Sequence, residues 1–263
     1  MGMDMHLADQ TVVVTGASKG IGLAISQAFA AAGAHVIAGA RHDGPELRDL
    51  VAAGSATFVA ADLSTAEGPK ALIDAAAERG GVDVLVNNAG AVQTRFDGIL
   101  SVTDEDWAAS LSINFLSAVR TTREAIPHML TRGGGSIVMI GSINATLPEW
   151  NIVDYSATKA ALASYAKSLS KEFGPKGIRV NTVSPGPVST DLWLASDGVA
   201  AKFADASGAT ADDVVATVSA IAPTGRFTTP QEVADLTVFL ASSRSANTTG
   251  ADVRIDGGYV TTL

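Results

Sequence analysis

The chain contains no cysteine, so disulfides, thiolate metal sites and cysteine nucleophiles are excluded at the outset. Histidine is scarce. His6, His35, His42 and His128 are scattered without the paired spacing of a metal site, and no metal is expected. Basic residues are in deficit, 18 Lys and Arg against 27 Asp and Glu, for a formal net charge of −9. Nucleic acid is therefore not an expected partner, since phosphate binding needs clustered cations. No lysine-rich run suggests an anionic membrane surface either. No apolar run approaches the roughly 20 residues that span a bilayer. The opening Met1–His6 lacks a basic stretch followed by an apolar one, so a secretory leader is not expected and a cytoplasmic location is.

What is present is a large supply of small and branched apolar residues. Hydrophobic residues make up 47% of 263 and charged residues 17%, which predicts a well-filled interior. Short β-branched runs at Thr11–Thr15, His35–Ala38, Ala56–Ala60, Val84–Val86, Ser136–Ile140, Arg179–Val183 and Asp252–Ile255 read as strands. Several are almost continuously apolar, as in strands covered on both faces. Between them, Ala-rich segments of helical period run over Ile21–Ala32, Glu46–Ala53, Glu67–Arg79, Thr103–Arg132, Val153–Phe173 and Pro230–Ser242. Strict alternation of strand and helix predicts parallel strands joined by right-handed crossovers. The expected fold is α/β, a doubly wound parallel sheet of seven strands with helices on both faces, in one domain over 1–263. One stretch breaks the rhythm. Between Pro185 and Pro230, helical patches at Asp191–Ala204 and Ala211–Ala220 replace a tight turn, and residues 186–229 read as a substrate-binding insertion.

The first strand runs into Thr15-Gly16-Ala17-Ser18-Lys19-Gly20-Ile21-Gly22, and a helix follows. Glycines at a strand-to-helix turn let the backbone approach a pyrophosphate, which the helix N-terminus then binds. As T-G-x-x-x-G-I-G, the turn resembles the fingerprint of the short-chain dehydrogenase/reductase family, and the resemblance extends over almost the whole chain. It implies a Rossmann-type sheet and a nicotinamide cofactor. It also implies that Gly16, Ser18, Lys19, Gly20, Ile21 and Gly22 contact that cofactor, together with Asp62 and Leu63, Asn88, Ala89 and Gly90 of the Asn87-Asn88-Ala89-Gly90 motif, and Pro185, Gly186, Val188 and Thr190. Asp256-Gly257-Gly258 matches the family's usual ending. NAD-selective relatives carry an acid at the end of the second strand. Here Ala40 takes that place and Arg41 follows. A guanidinium there, with Lys19 in the turn, would pair with a 2′-phosphate, so NADP is expected over NAD.

Tyr155-Ser156-Ala157-Thr158-Lys159 lies within a predicted long helix, and i, i+4 spacing puts phenol and ammonium on one face. A phenol titrates near about 10 and is a poor base unaided, but a neighbouring cation stabilises phenolate. Ser142 precedes Tyr155 by thirteen residues, at the end of the fifth strand, where ligands sit in an open α/β sheet. With them stands Asn114, a locally unfavourable residue amid apolar helix neighbours. Ser142, Tyr155, Lys159 and Asn114 match the family's catalytic set. That resemblance implies Tyr155 as general acid and base, Ser142 holding the substrate oxygen, Lys159 binding the cofactor ribose, Tyr155 and Lys159 both touching the cofactor, and Asn114 holding a water that replenishes the proton. The reaction implied is interconversion of a ketone or aldehyde and an alcohol. Gln93–Phe96, Ile143–Trp150 and the insertion should frame the substrate, with Trp150, Leu147, Trp193, Leu194 and Phe203 offering apolar surface. Alternatives are a 3-oxoacyl-[acyl-carrier-protein] reductase, an NAD-dependent alcohol or sugar dehydrogenase and, more remotely, a non-catalytic NADP-binding sensor. The resemblance implies a homotetramer, or else a dimer.

Overall fold

The computed structural model describes residues 4–262. Seven strands, β1 (Thr11–Thr15), β2 (His35–Ala40), β3 (Ala56–Ala60), β4 (Val84–Asn87), β5 (Gly135–Ile140), β6 (Ile178–Pro185) and β7 (Asp252–Ile255), form one all-parallel sheet in the order β3-β2-β1-β4-β5-β6-β7. The order reverses between β1 and β4. The chain ends that leave these two strands diverge there and open a crevice at the carboxyl edge, the switch point at which such sheets bind ligands.

Alternation along the strands supplies two cores, one on each face. Val12 and Val14 of β1, with Val84 and Val86 of β4, face α1 (Gly20–Ala31), α2 (Pro45–Ala52) and α10 (Pro230–Ala241), and bury Ile25, Phe29, Leu47, Val233 and Val238. Val13 and Leu85 face the other way, onto α3 (Glu67–Ala77), α5 (Ser117–Thr131) and α6 (Val153–Phe173), with Leu72, Ile126, Met129 and Leu162. Fully covered strands explain why their sequences read as continuous apolar runs.

Two expected helices divide. The segment expected as one helix over Thr103–Arg132 is α4 (Asp104–Leu111), a π-helical turn over Ser112–Leu116, and then α5. Asn114 sits within that turn, and its amide bonds to backbone outside the helix. The patch expected over Asp191–Ala204 is α7 (Asp191–Leu194) and α8 (Val199–Ser207), separated by extended backbone at Ala195 and Gly198. A side chain at Gly198 would meet the carbonyls of Trp193 and Ala195 at 2.9 Å, so the chain can fold back on itself only without one. α9 (Ala211–Ile221) completes the insertion, opened by a capping box between Thr210 and Asp213.

Candidate active site

The glycine turn between β1 and α1 is shaped by close approaches. Gly16 and Gly20 have positive φ, +67° and +54°, and a Cβ at Gly22 would collide with the Gly16 carbonyl oxygen. The missing side chains leave the turn's backbone bare toward the start of α1, a cradle that fits a pyrophosphate. Ser18 is half-buried and Lys19, the residue before α1, is exposed. Ile21 is half-buried against the core. Thr15 ties the turn to the next motif. Its hydroxyl oxygen accepts the N–H groups of Asn88 and Ala89, both at 2.9 Å, while the Asn88 amide donates to Thr15 O at 2.9 Å and Gly16 O at 3.1 Å. Asn87 points away, its amide donating to Thr122 in the core.

Arg41 is exposed immediately beyond β2. Asp62 is held below the usual carboxylate range, first by hydrogen bonds from the Ser64 hydroxyl and N–H and also by the Arg41 charge, so Arg41 and Asp62 share one rim of the crevice. Leu63 is buried beside them. Across the crevice, Pro185 ends β6, Gly186 N–H donates to Ile255 O at 3.1 Å, and Val188 is buried. The Thr190 methyl lies 3.4 Å from where a Cβ of Gly20 would stand, so the start of the insertion closes on the glycine turn.

The second cluster stands at the end of β5. Ser142, 7% exposed, accepts the Asn144 N–H and directs its own proton at Asn144 Oδ1, both at 3.1 Å. Tyr155 and Lys159 project from one face of α6, with the Lys159 ammonium 5.5 Å from the Tyr155 ring centroid. Lys159 is 4% exposed and donates to Ile140 O at 2.9 Å. Burial pushes its pKa down to about 8. Burial raises that of the Tyr155 phenol, and the Ser142 hydroxyl beside it acts in the opposite direction. Asn114, 1% exposed, grips Ala91 with both ends of its amide, accepting from N–H and donating to C=O at 2.9 Å each. A Cβ at Gly90 would lie 2.9 Å from Asn114 Oδ1 and 3.6 Å from Lys159 Nζ, so that glycine lets three segments converge. The π turn explains how a helical Asn reaches so far: one extra residue re-aims the side chain.

Of the apolar residues expected at the pocket, Trp150 is 64% exposed and Leu147 and Leu194 are also exposed. Trp193 packs edge-on against Phe227, and Phe203 against Phe96. Not expected from the sequence were Thr15 as a hydrogen-bonding hub, Asn144 as the partner of Ser142, and a charged cluster beside the first turn of α6. In that cluster Arg95 pairs with Asp106 at 3.0 Å and with Asp154 at 3.2 Å, and Asp154 is buried directly before Tyr155. An acid in the first turn of a helix is ordinary, so Asp154 gave no separate signal.

Similarity to known proteins agrees with this geometry. A family model described as enoyl-(acyl carrier protein) reductase matches residues 16–260. The chain is 36% identical to 3beta-hydroxysteroid dehydrogenase 1 of Eggerthella lenta, over 96% of this chain and 94% of that one. It is 34% identical to the 3-oxoacyl-[acyl-carrier-protein] reductase of Escherichia coli, over 97% and 98%. Among solved structures, L-sorbose reductase from Gluconobacter frateurii, complexed with NADPH and L-sorbose, superposes with a TM-score of 0.91 at 35% identity, covering 99% of this chain and all of that one. Matched nearly end to end by such relatives, and carrying the glycine turn and the Ser142–Tyr155–Lys159 cluster on a seven-stranded parallel sheet, the chain belongs to the short-chain dehydrogenase/reductase family of oxidoreductases.

Proposed function

We propose that the protein is an NADP-dependent reductase and dehydrogenase that interconverts a ketone or aldehyde and the corresponding alcohol. The observation that carries this reading is the convergence of Ser142, Tyr155 and buried Lys159 at the end of β5, with Asn114 and Gly90 closing on the lysine. The glycine cradle, Asn88 to Gly90 and the Pro185–Thr190 segment would hold the cofactor, and Arg41 with Lys19 would pair with its 2′-phosphate. When bound, the cofactor supplies the hydride. The protein's own residues handle position and proton. Ser142 turns its hydroxyl from Asn144 to the substrate oxygen and fixes the carbonyl, an orienting and electrostatic contribution. Tyr155, whose phenol burial keeps protonated, donates to that oxygen in reduction and takes the proton back in oxidation. The Lys159 ammonium stabilises the phenolate left behind.

Support for NADP over NAD comes from the exposed Arg41 after an uncharged β2 end. A structural relative crystallised with NADPH points the same way. That relative's L-sorbose also favours a polyhydroxylated carbonyl over an acyl-carrier substrate, and the net charge of −9 gives an acidic carrier protein little to dock on. The test is a fluorescence titration with NADPH and NADH, repeated with Arg41→Asp, followed by a panel of ketones, aldehydes, sugars and oxoacyl thioesters. Tight NADPH binding, levelled or reversed by the substitution, and turnover abolished in Tyr155→Phe are expected. Equal or tighter NADH binding would overturn the cofactor assignment, and undiminished turnover in Tyr155→Phe the mechanism.

A further inference from the structure

The segments that leave β4 and β6 meet in front of β5. In the sheet, β5 stands between those two strands, so at roughly 4.8 Å per strand their carboxyl ends are on the order of 10 Å apart. A contact between the segment leaving β4 and the segment leaving β6 bridges the two sides of β5, and Ser142 follows the end of that strand. One such contact is aromatic. The ring of Phe96, from the β4 segment, meets the ring of Phe203 on α8 edge to face, with centroids 5.0 Å apart and planes at 90°. Neither ring is fully buried.

The two rings are mounted differently. Phe96 succeeds Arg95, whose N–H donates to Asn151 O at 2.7 Å and whose guanidinium is paired with Asp106 and Asp154. Through Asp154 it is fastened to the first turn of α6, the helix that carries Tyr155. Phe203 rides on the insertion. That segment is held at its root, where Thr190 closes on Gly20 and Trp193 packs on Phe227 at 5.2 Å. Farther out, α8 buries Val199, Ala200 and Ala204 and packs against α9, no residue of which is fully buried. The Phe96–Phe203 contact is one place where the outer part of the insertion rests on a fixed post.

We propose that Phe96 and Phe203 form the end wall of the substrate pocket and set the length of the carbonyl compound it turns over. The wall selects compact substrates and refuses long alkyl or acyl chains. This rests on the carbonyl-reductase reading above and deepens it by naming the substrate class. A molecule that ends short of the two rings leaves their contact intact, whereas a longer chain has to part them. Truncating either ring opens that end, and each methylene then buried contributes up to about fourfold in kcat/KM.

The experiment measures kcat/KM with NADPH for methyl ketones from butanone to decanone in the wild type, Phe96→Ala, Phe203→Ala and the double variant. Circular dichroism and NADPH binding serve as controls of folding. The wild type is expected to lose efficiency as the chain lengthens. Each single variant should raise the decanone-to-butanone ratio at least about tenfold, and the double variant should add little, because one wall has already gone. A ratio unchanged in every variant, or a wild type that takes decanone as well as butanone, overturns the proposal. A wild type that turns over sugars of the panel above but none of these ketones also overturns it, whereas a folded wild type that turns over no carbonyl compound of either set defeats the underlying reading instead. The contact itself is then judged by limited proteolysis of the purified protein. Cleavage within residues 191–209 should quicken about fivefold in Phe96→Ala, although Phe96 lies outside the cut segment. Unchanged cleavage would sink the wall on its own terms.

Discussion

On the proposed mechanism, Lys159 is a single residue both costly to the fold and necessary to the chemistry. It is buried with one carbonyl partner, Ile140 O at 2.9 Å, and desolvation lowers its pKa from the usual 10.5 to about 8. Between those two values the unfolded chain binds a proton that the folded chain does not, so stability rises with pH across that window. Below about 8 the folded state carries the burial cost in full, up to about 3 kcal/mol for a shift of this size. Lys159→Met is accordingly expected to raise Tm at neutral pH while abolishing turnover, and the excess should shrink as melts are run at increasing pH. A lower Tm at neutral pH would mean that the bond to Ile140 outweighs the burial. The same titration governs the rate. Reductive kcat should hold below about 8 and fall as pH rises through it, because the neutral amine no longer supports a phenolate on Tyr155. A profile flat through that region would take Lys159 out of this role.

At the scale of elements, the π turn over Ser112–Leu116 is the least ordinary piece of secondary structure in the molecule. It exists to aim Asn114, whose amide satisfies both the N–H and the C=O of Ala91. Asn114→Ala leaves that backbone pair without partners and should cost about 1–3 kcal/mol, read as a lower Tm. The accompanying drop in kcat should exceed any rise in KM, since Gly90 beside Lys159 belongs to the loosened segment. A variant as stable as the parent would show that water replaces the amide without loss. The π turn itself was not legible in the sequence. The period of apolar residues runs through it unbroken, so Thr103–Arg132 read as one helix. Seven strands were legible because parallel strands covered on both faces leave continuous apolar runs. Ser142, Tyr155 and Lys159 stood out by a strand end and a short spacing, and Asn114 as an unfavourable residue on an apolar helix that completes the family's set. Arg95 and Asp154 lie 59 residues apart, and only the strand order brings them together.

The molecule as a whole carries a net charge of −9, and its general field therefore opposes the more anionic of the two nicotinamide cofactors. A preference for NADPH must come from a local source, and on the proposed reading that source is the exposed Arg41 and Lys19. The crevice is assembled from the ends of β1, β2, β3, β4 and β6, so a ligand that binds it binds only the folded chain and stabilises every element at once. At a hundred times its Kd, NADPH should add about 2.7 kcal/mol, which for a chain of this size raises Tm by roughly 5–10 °C. NADH at the same concentration should do much less, and Arg41→Asp should reverse the order. Screening sharpens the test. Both cations are exposed, so moving from low to high ionic strength should shrink the NADPH shift far more than the NADH shift. If both cofactors instead raise Tm equally at every salt concentration, Arg41 and Lys19 are solvated surface charges and the 2′-phosphate has no site here.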